Sequence, residues 1–431
     1  MPTSHTTHPQ GLYLLFFVEM WERFSYYGMR SLLVLYLISD QGWADDRAFS
    51  LYGTYTSLVY VTPLIGGWLA DRLLGTQRSL VIGGLIIALG HFSLAFSGLG
   101  METFYLGLAL IIIGTGFFKP NVSTIVGQLY GANDLRRDAG FTTFYMGINL
   151  GALLGTLICG YLGERVGWHW GFGSAGIGMA CGMIVFMTFR SRYLAEIGAP
   201  PSRTATDIAS HAQPLTHEER QRITVLFIAA FFVILFWAAF EQAGSSMNVF
   251  ALRHTDRMIG TFEVPASWFL SINPAVIIIF APLFASIWLK LGAKGKEPHT
   301  IVKMGLGLIL LGCGFGLMAL GGRSADAGVL VSPLYLTTAY LVITWGELCF
   351  SPVGLSLVTK LAPLKFASLL MGTWFLANAA ANKLAGVLAA MTDDVGSLTV
   401  FFSIFVVSSV AAGLLLLLLA PMLQRMTHER G

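Results

Sequence analysis

The stretch VEMWERFSYYGMR, residues 18–30, decides how this chain is read. It lies inside the first long apolar run, yet it carries Glu19, Glu22, Arg23 and Arg30. Each charge costs roughly 3 kcal/mol at the centre of a membrane helix. Four on one helix, about 12 kcal/mol before pairing, call for a protein interior or a wet cavity around them. Helical spacing provides the geometry. Glu19, Arg23, Tyr26 and Arg30 follow i, i+4, i+7 and i+11 and form one stripe, with Glu22 and Tyr27 at its edges. Two carboxylates within reach of one guanidinium make a coupled titrating group. The stripe alone leaves two readings open: a proton-binding device, or a static ion pair that fixes helix packing.

The surrounding chain places this stripe in a membrane. Of 431 residues, 55% are hydrophobic and only 11% charged, whereas soluble domains run near 25% charged. Net charge is +3 and the basic residues form no stripe, which argues against nucleic acid as a partner. The four cysteines, Cys159, Cys181, Cys313 and Cys349, all fall in apolar runs and form no CxxC or Cys/His cluster. They read as buried apolar residues, with no disulfide, metal site or cofactor expected. The N-terminal MPTSHTTHPQ lacks Lys and Arg and no cleavage site follows, so it reads as a short cytosolic tail.

Apolar segments long enough to span recur near 12–38, 49–71, 79–99, 103–129, 139–162, 170–192, 222–250, 265–290, 300–321, 331–360, 366–391 and 397–423. Seventeen basic residues fall on one set of loops and the tail, Arg72, Arg136, Arg190, Lys290, Lys294 and Lys296 among them. Five fall on the other set: Arg47, Arg165, Arg253, Arg257 and Arg323. The positive-inside rule then puts both termini in the cytoplasm, as an even number of spans requires. The expected class is an all-α polytopic membrane protein with twelve helices in two bundles. Residues 1–192 form the first bundle, 193–221 a Pro-containing cytosolic linker, and 222–431 the second. Thr216-x-x-Glu219 reads as a capping box opening the seventh helix. Gly147, Gly151 and Gly155 predict close helix approach, and Pro63, Pro120, Pro274 and Pro352 predict kinks.

Further charges lie inside spans: Lys119 after GTGFF, Glu241 in FWAAFEQAGSS, Glu347 in TWGELCFSPVG, and Lys383. Arg30 and Lys119 in one half face Glu241 and Glu347 in the other as candidate ion pairs that form and break during alternating access. Asn149 and Asn273 offer mid-span polar contacts without charge. Tyr60, Trp237 and Trp374 are equally readable as cavity wall or as packing.

These residues carry a resemblance. Glu19-x-x-Glu22-Arg23-Phe24-x-Tyr26-Tyr27-Gly28 resembles the ExxERFxYYG motif of the proton-dependent oligopeptide transporter family, a branch of the major facilitator superfamily. The stretch Gly66–Arg72 resembles the superfamily's loop between helices 2 and 3. FFKPNVSTIVGQLY (117–130), FTTFYMGINLGAL (141–153) and GELCFSPVGLSLVTKLAP (346–363) resemble the family's fourth, fifth and tenth helices. The resemblance implies that Glu19, Glu22 and Arg23 couple proton binding to transport, with Glu241 titrating and pairing with Arg30 as an outer gate. It implies that Arg30 and Lys119 receive a peptide carboxylate, that Glu347 with Asn149 and Asn273 receives its amino group, and that Lys119 with Glu347 closes an inner gate. Tyr26, Tyr60, Trp237 and Trp374 would line side-chain pockets.

Departures from the family pattern are visible. The 193–221 linker leaves no room for the two extra helices of many bacterial members. Phe240 precedes Glu241 where some members are polar, and Asn378 stands where some have serine. Lys383 has no counterpart role, and His91, His169 and His254 match no family proton site. The implied function is proton-coupled symport of di- and tripeptides across the bacterial cytoplasmic membrane, by a monomer whose other partners are protons and lipid. The alternative is another small solute, such as nitrate or a peptide-like compound. An enzyme is disfavoured, because the chain contains no HExxH, GxSxG or Cys/His cluster.

Overall fold

The structure is a computed structural model that describes residues 7–131, 134, 136–195, 197–198, 215–363 and 366–427. Most of the expected linker, including its three prolines, lies outside them. Twelve helices of 20 to 30 residues dominate the described chain. They are α1 (Gln10–Ser39), α2 (Asp45–Leu69), α3 (Thr76–Ala95), α4 (Met101–Gln128), α5 (Arg137–Tyr161), α6 (Trp168–Tyr193), α7 (His217–Phe240), α9 (Ile272–Ala293), α10 (Thr300–Asp326), α11 (Pro333–Leu361), α12 (Ala367–Ala390) and α14 (Leu398–Thr427). Two short helices, α8 (Ser246–His254) and α13 (Thr392–Val395), complete the set. Eight helical segments among the described residues are long and apolar enough to cross a membrane. The chain is an integral membrane protein.

The chain divides into two compact units, residues 1–36 with 58–202, and residues 37–57 with 203–431. In the first, α3 packs along α4 and α6 over a core that includes Leu15, Val18, Ile87, Phe118 and Met179. Its helices α2 and α5 each run into a π-helical turn, Ala70–Leu74 and Leu162–Val166, closed by a glycine amide. Gly75 donates to the Ala70 carbonyl at φ +77, a left-handed backbone that favours glycine. In the second unit α10 packs against α11 and α14, and α7 against α12. Phe236 stacks on Phe350 with centroids 4.1 Å apart.

The expected span limits hold to within a few residues at most ends, with three local differences. The seventh span is not one helix. α7 stops at Phe240, a 3₁₀ turn covers Glu241–Gly244, and α8 continues the chain. The apolar run across 222–250 hides this break, which is stabilised by side-chain hydrogen bonds. Pro274 sits in the first turn of α9, where a missing N–H breaks no intrahelical bond, so it makes no kink. The all-α reading also misses a two-residue antiparallel pair, β1 (Met258–Ile259) with β2 (Phe262–Glu263), in the loop after α8. Thr216 does cap α7: its side chain accepts from the Glu219 amide while Glu219 accepts from the Thr216 amide. Cys159 and Cys349 are buried, but Cys181 and Cys313 are exposed on helix surfaces.

Candidate functional site

Glycines bring α1 and α5 together in the first unit. A Cβ at Gly151 would run into the Met20 carbonyl oxygen and press on Arg23 Cβ, and one at Gly155 would strike the Phe24 carbonyl. Only glycine permits this approach, and it seals the Glu19–Arg23 segment into the interior. Glu19, Glu22 and Arg23 are accordingly 3%, 0% and 5% exposed. Arg23 Nε lies 3.0 Å from Glu19 and 2.5 Å from Glu22. These are charge contacts with poor hydrogen-bond alignment: Glu19 Oε2, both Glu22 oxygens and Arg23 Nη2 make no hydrogen bond among the described residues. Lys119 on α4 lies within electrostatic reach of both carboxylates, and its ammonium sits 4.2 Å from the Tyr60 ring centre. Tyr26 lies between two guanidinium groups, 5.4 Å from Arg23 and 6.0 Å from Arg30. The stripe read from spacing therefore exists, and it gains Lys119 and Tyr60 from other helices. Asn149 is buried on α5 and spends its amide on the Tyr145 carbonyl at 3.0 Å.

The second unit holds a separate carboxylate. Glu347 on α11 is 8% exposed. Asn273, in the first turn of α9, donates to it at 2.7 Å and to Thr344 Oγ1 at 3.0 Å. Thr344 in turn donates to the Tyr340 carbonyl at 2.7 Å. A buried carboxylate is thus oriented by a relay along α11 and α9. The same helix braces the break after α7, because the Tyr340 hydroxyl donates to the Ala243 carbonyl at 3.2 Å. Gln242 adds donations to the Ala238 and Ala385 carbonyls and accepts from Ser246 Oγ. Glu241 is buried at the first residue of that braced turn.

The remaining predicted residues fall into the second unit with lesser roles. Trp237 packs edge-on against Phe236 and Phe240. Trp374 is 8% exposed and borders a crevice of about 10 Å³ with Leu226, Leu370 and Thr373. Asn378 donates to the Trp374 carbonyl at 2.9 Å. Lys383, without an expected role, donates to Thr54 Oγ1 at 2.8 Å. Sequence reasoning missed Thr344, whose hydroxyl looks unremarkable in an apolar run, and the two-pronged Asp45–Arg253 pair at 2.6 and 2.8 Å.

Comparison with known proteins identifies the family of the chain. The POT family model matches residues 77–202 and 200–400. An uncharacterized transporter of Bacillus subtilis, YclF, is 40% identical over 97% of this chain and 95% of its own length. The peptide transporter YePEPT of Yersinia enterocolitica is 36% identical over 98% of this chain and 96% of its own. A crystal structure of a mutant of the peptide transporter POT, in complex with alafosfalin, superposes with TM-score 0.91 and 37% identity. It covers 99% of this chain and 97% of that one. The fold is therefore that of the major facilitator superfamily, and the chain belongs to the POT family of transporters.

Proposed function

We propose that this protein is a proton-coupled symporter of di- and tripeptides working by alternating access. The observation that carries the reading is the buried set Glu19, Glu22 and Arg23, with half-buried Lys119 within electrostatic reach of both acids. With both acids ionised its formal charges cancel. One proton leaves it net positive, and an arriving peptide carboxylate restores neutrality. Net charge in a dry site is expensive, so proton and carboxylate bind better together than apart. Arg30 joins Lys119 as carboxylate receiver. In the other unit Glu347, held by Asn273, accepts the peptide ammonium, with Asn149 contributing from the first. Tyr26, Tyr60, Trp237, Trp374 and Asn378 shape the side-chain space. Arg30 with Glu241 serves as the outer gate and Lys119 with Glu347 as the inner one. Carboxylate receivers in one half and an ammonium receiver in the other suit a zwitterion better than nitrate, which has no amino group.

The same reading assigns twelve spans to two six-helix bundles, 1–192 and 222–431, joined by the 193–221 linker. Both termini are cytosolic, the location is the bacterial inner membrane, and the transport unit is a monomer. Liposome uptake tests the proposal. With an inward proton gradient the protein should accumulate a dipeptide, and Glu22→Gln should abolish accumulation while retaining peptide exchange. Gradient-independent accumulation by the unmodified protein would sink the coupling.

A further inference from the structure

The cytosolic-side end of α9 is built differently from the other spans. Among the eight described segments apolar and long enough to cross a membrane, its segment, Ala266–Ala293, is the least covered by protein: 22% of its most apolar window is buried, against 33–56% for the other seven. Ile279, Leu283, Ile287 and Leu289 all stand exposed on it. In a bilayer such a helix is wrapped by acyl chains. Where it ends, Lys290, Lys294 and Lys296 fan out, all exposed. They are held in an ordered turn. The Lys294 and Lys296 amides both donate to the Leu291 carbonyl, and Gly295 takes φ +63. Glu297, the acid in this segment, is already taken: Lys303 Nζ sits 2.5 Å from its Oε1. The Lys303 ammonium also lies 4.7 Å from the ring centre of Trp288, which packs near Phe284. The three lysines make no ion pair among the described residues. An apolar helix face, an interfacial tryptophan and three unneutralised ammonium groups therefore meet at the end of α9 and in the turn that follows.

We propose that this end of α9 docks anionic phospholipid headgroups, with the acyl chains lying along the exposed face of the helix. Lys290, Lys294 and Lys296 hold the phosphodiester, and Trp288 marks the depth of the site. Arg136, in the loop before α5, differs: it is forked onto Asp134. Near an anionic surface each free lysine is worth roughly fivefold in affinity, so three give on the order of 100-fold preference over a zwitterionic lipid. The inference rests on the reading of a membrane span, not on peptide transport. A nanodisc presents both leaflets, so the result does not depend on orientation.

The test uses the full chain in phosphatidylcholine nanodiscs doped with brominated lipid. The Trp288 signal is isolated as the fluorescence difference between the unmodified protein and Trp288→Phe. Brominated phosphatidylglycerol should quench this component at mole fractions far below those needed with brominated phosphatidylcholine. The triple variant Lys290→Gln, Lys294→Gln, Lys296→Gln should lose that preference while keeping the thermal unfolding midpoint of the unmodified protein, which shows that it is folded. Equal quenching by the two lipids overturns the proposal, as does a preference that survives the triple change. Displacement by low concentrations of free glycerol phosphate also overturns it, because the site would then hold a soluble anion and not a lipid.

Discussion

Asn273→Ala tests the ammonium receiver directly. In the structure Asn273 spends one amide N–H on Glu347 Oε2 at 2.7 Å and the other on Thr344 Oγ1 at 3.0 Å. A hydrogen bond to a charged group is worth about 1.5–3 kcal/mol. Truncation leaves Glu347 buried with that donor gone and its rotamer unfixed. If Glu347 meets the peptide ammonium, loss of this support weakens binding by the same amount, roughly 10- to 150-fold in Kd. Isothermal titration of the purified protein with a dipeptide and with its N-acetylated form reads the effect. The free amine should lose affinity by that factor, and the acetylated peptide, which carries no ammonium, should change little. Thr344→Val should cost less, about fivefold, because the Asn273–Glu347 bond survives it. Equal weakening of both ligands would refute the reasoning, since Asn273 would then act through packing alone. Thermal melting of each variant separates misfolding from altered recognition.

Other outcomes follow from the packing and the loops. A Cβ on Gly386 would lie 2.7 Å from both the Gly53 Cα and the Phe49 carbonyl oxygen. Gly386→Ala must therefore push α12 off α2, at a cost of about 1–3 kcal/mol, and an unchanged unfolding midpoint would contradict the crossing. Thr216→Ala removes one half of the α7 capping box, and hydrogen exchange in the first turn of α7 should rise by a factor corresponding to ~1 kcal/mol. In the α4–α5 loop, hydrogen bonds from the Arg136 side chain and backbone hold the Asp134 carboxyl down at about 2. A depressed carboxyl gives stability above its unfolded value near 3.8, and that stability is lost as pH falls through about 2. Asp134 thus stays ionised through the neutral range, and Asp134→Asn should leave the pH profile of uptake unmoved.

What the sequence disclosed depended on distance along the chain. The Glu19–Arg30 stripe was legible because helix geometry couples residues four and seven apart. The capping box was legible for the same reason. Close packing by Gly151 and Gly155 could be anticipated as a type, but not that α1 is the partner. The Asn273–Glu347 bond joins residues 74 apart, and nothing in either local sequence pairs them. The Thr54–Lys383 contact, 329 apart, was equally hidden. The break at Glu241 was masked because hydropathy continues through it, while its stability comes from Gln242 and Tyr340 bonding to distant carbonyls. Hydropathy reports where a chain enters lipid, and side-chain satisfaction reports where a helix stops.

Each charged centre is complete within its own compact unit. Glu19, Glu22, Arg23 and Lys119 need no residue of the second unit to meet, and Glu347, Asn273 and Thr344 need none of the first. In the proposed mechanism one group handles the energy source and the other reads one end of the cargo. Two traits built on separate scaffolds are free to evolve at different rates. Substitutions around Glu347 that keep its carboxylate can retune which solutes are accepted while the proton-binding set Glu19, Glu22 and Arg23 stays intact. Relatives that accept quite different cargoes can therefore share one engine.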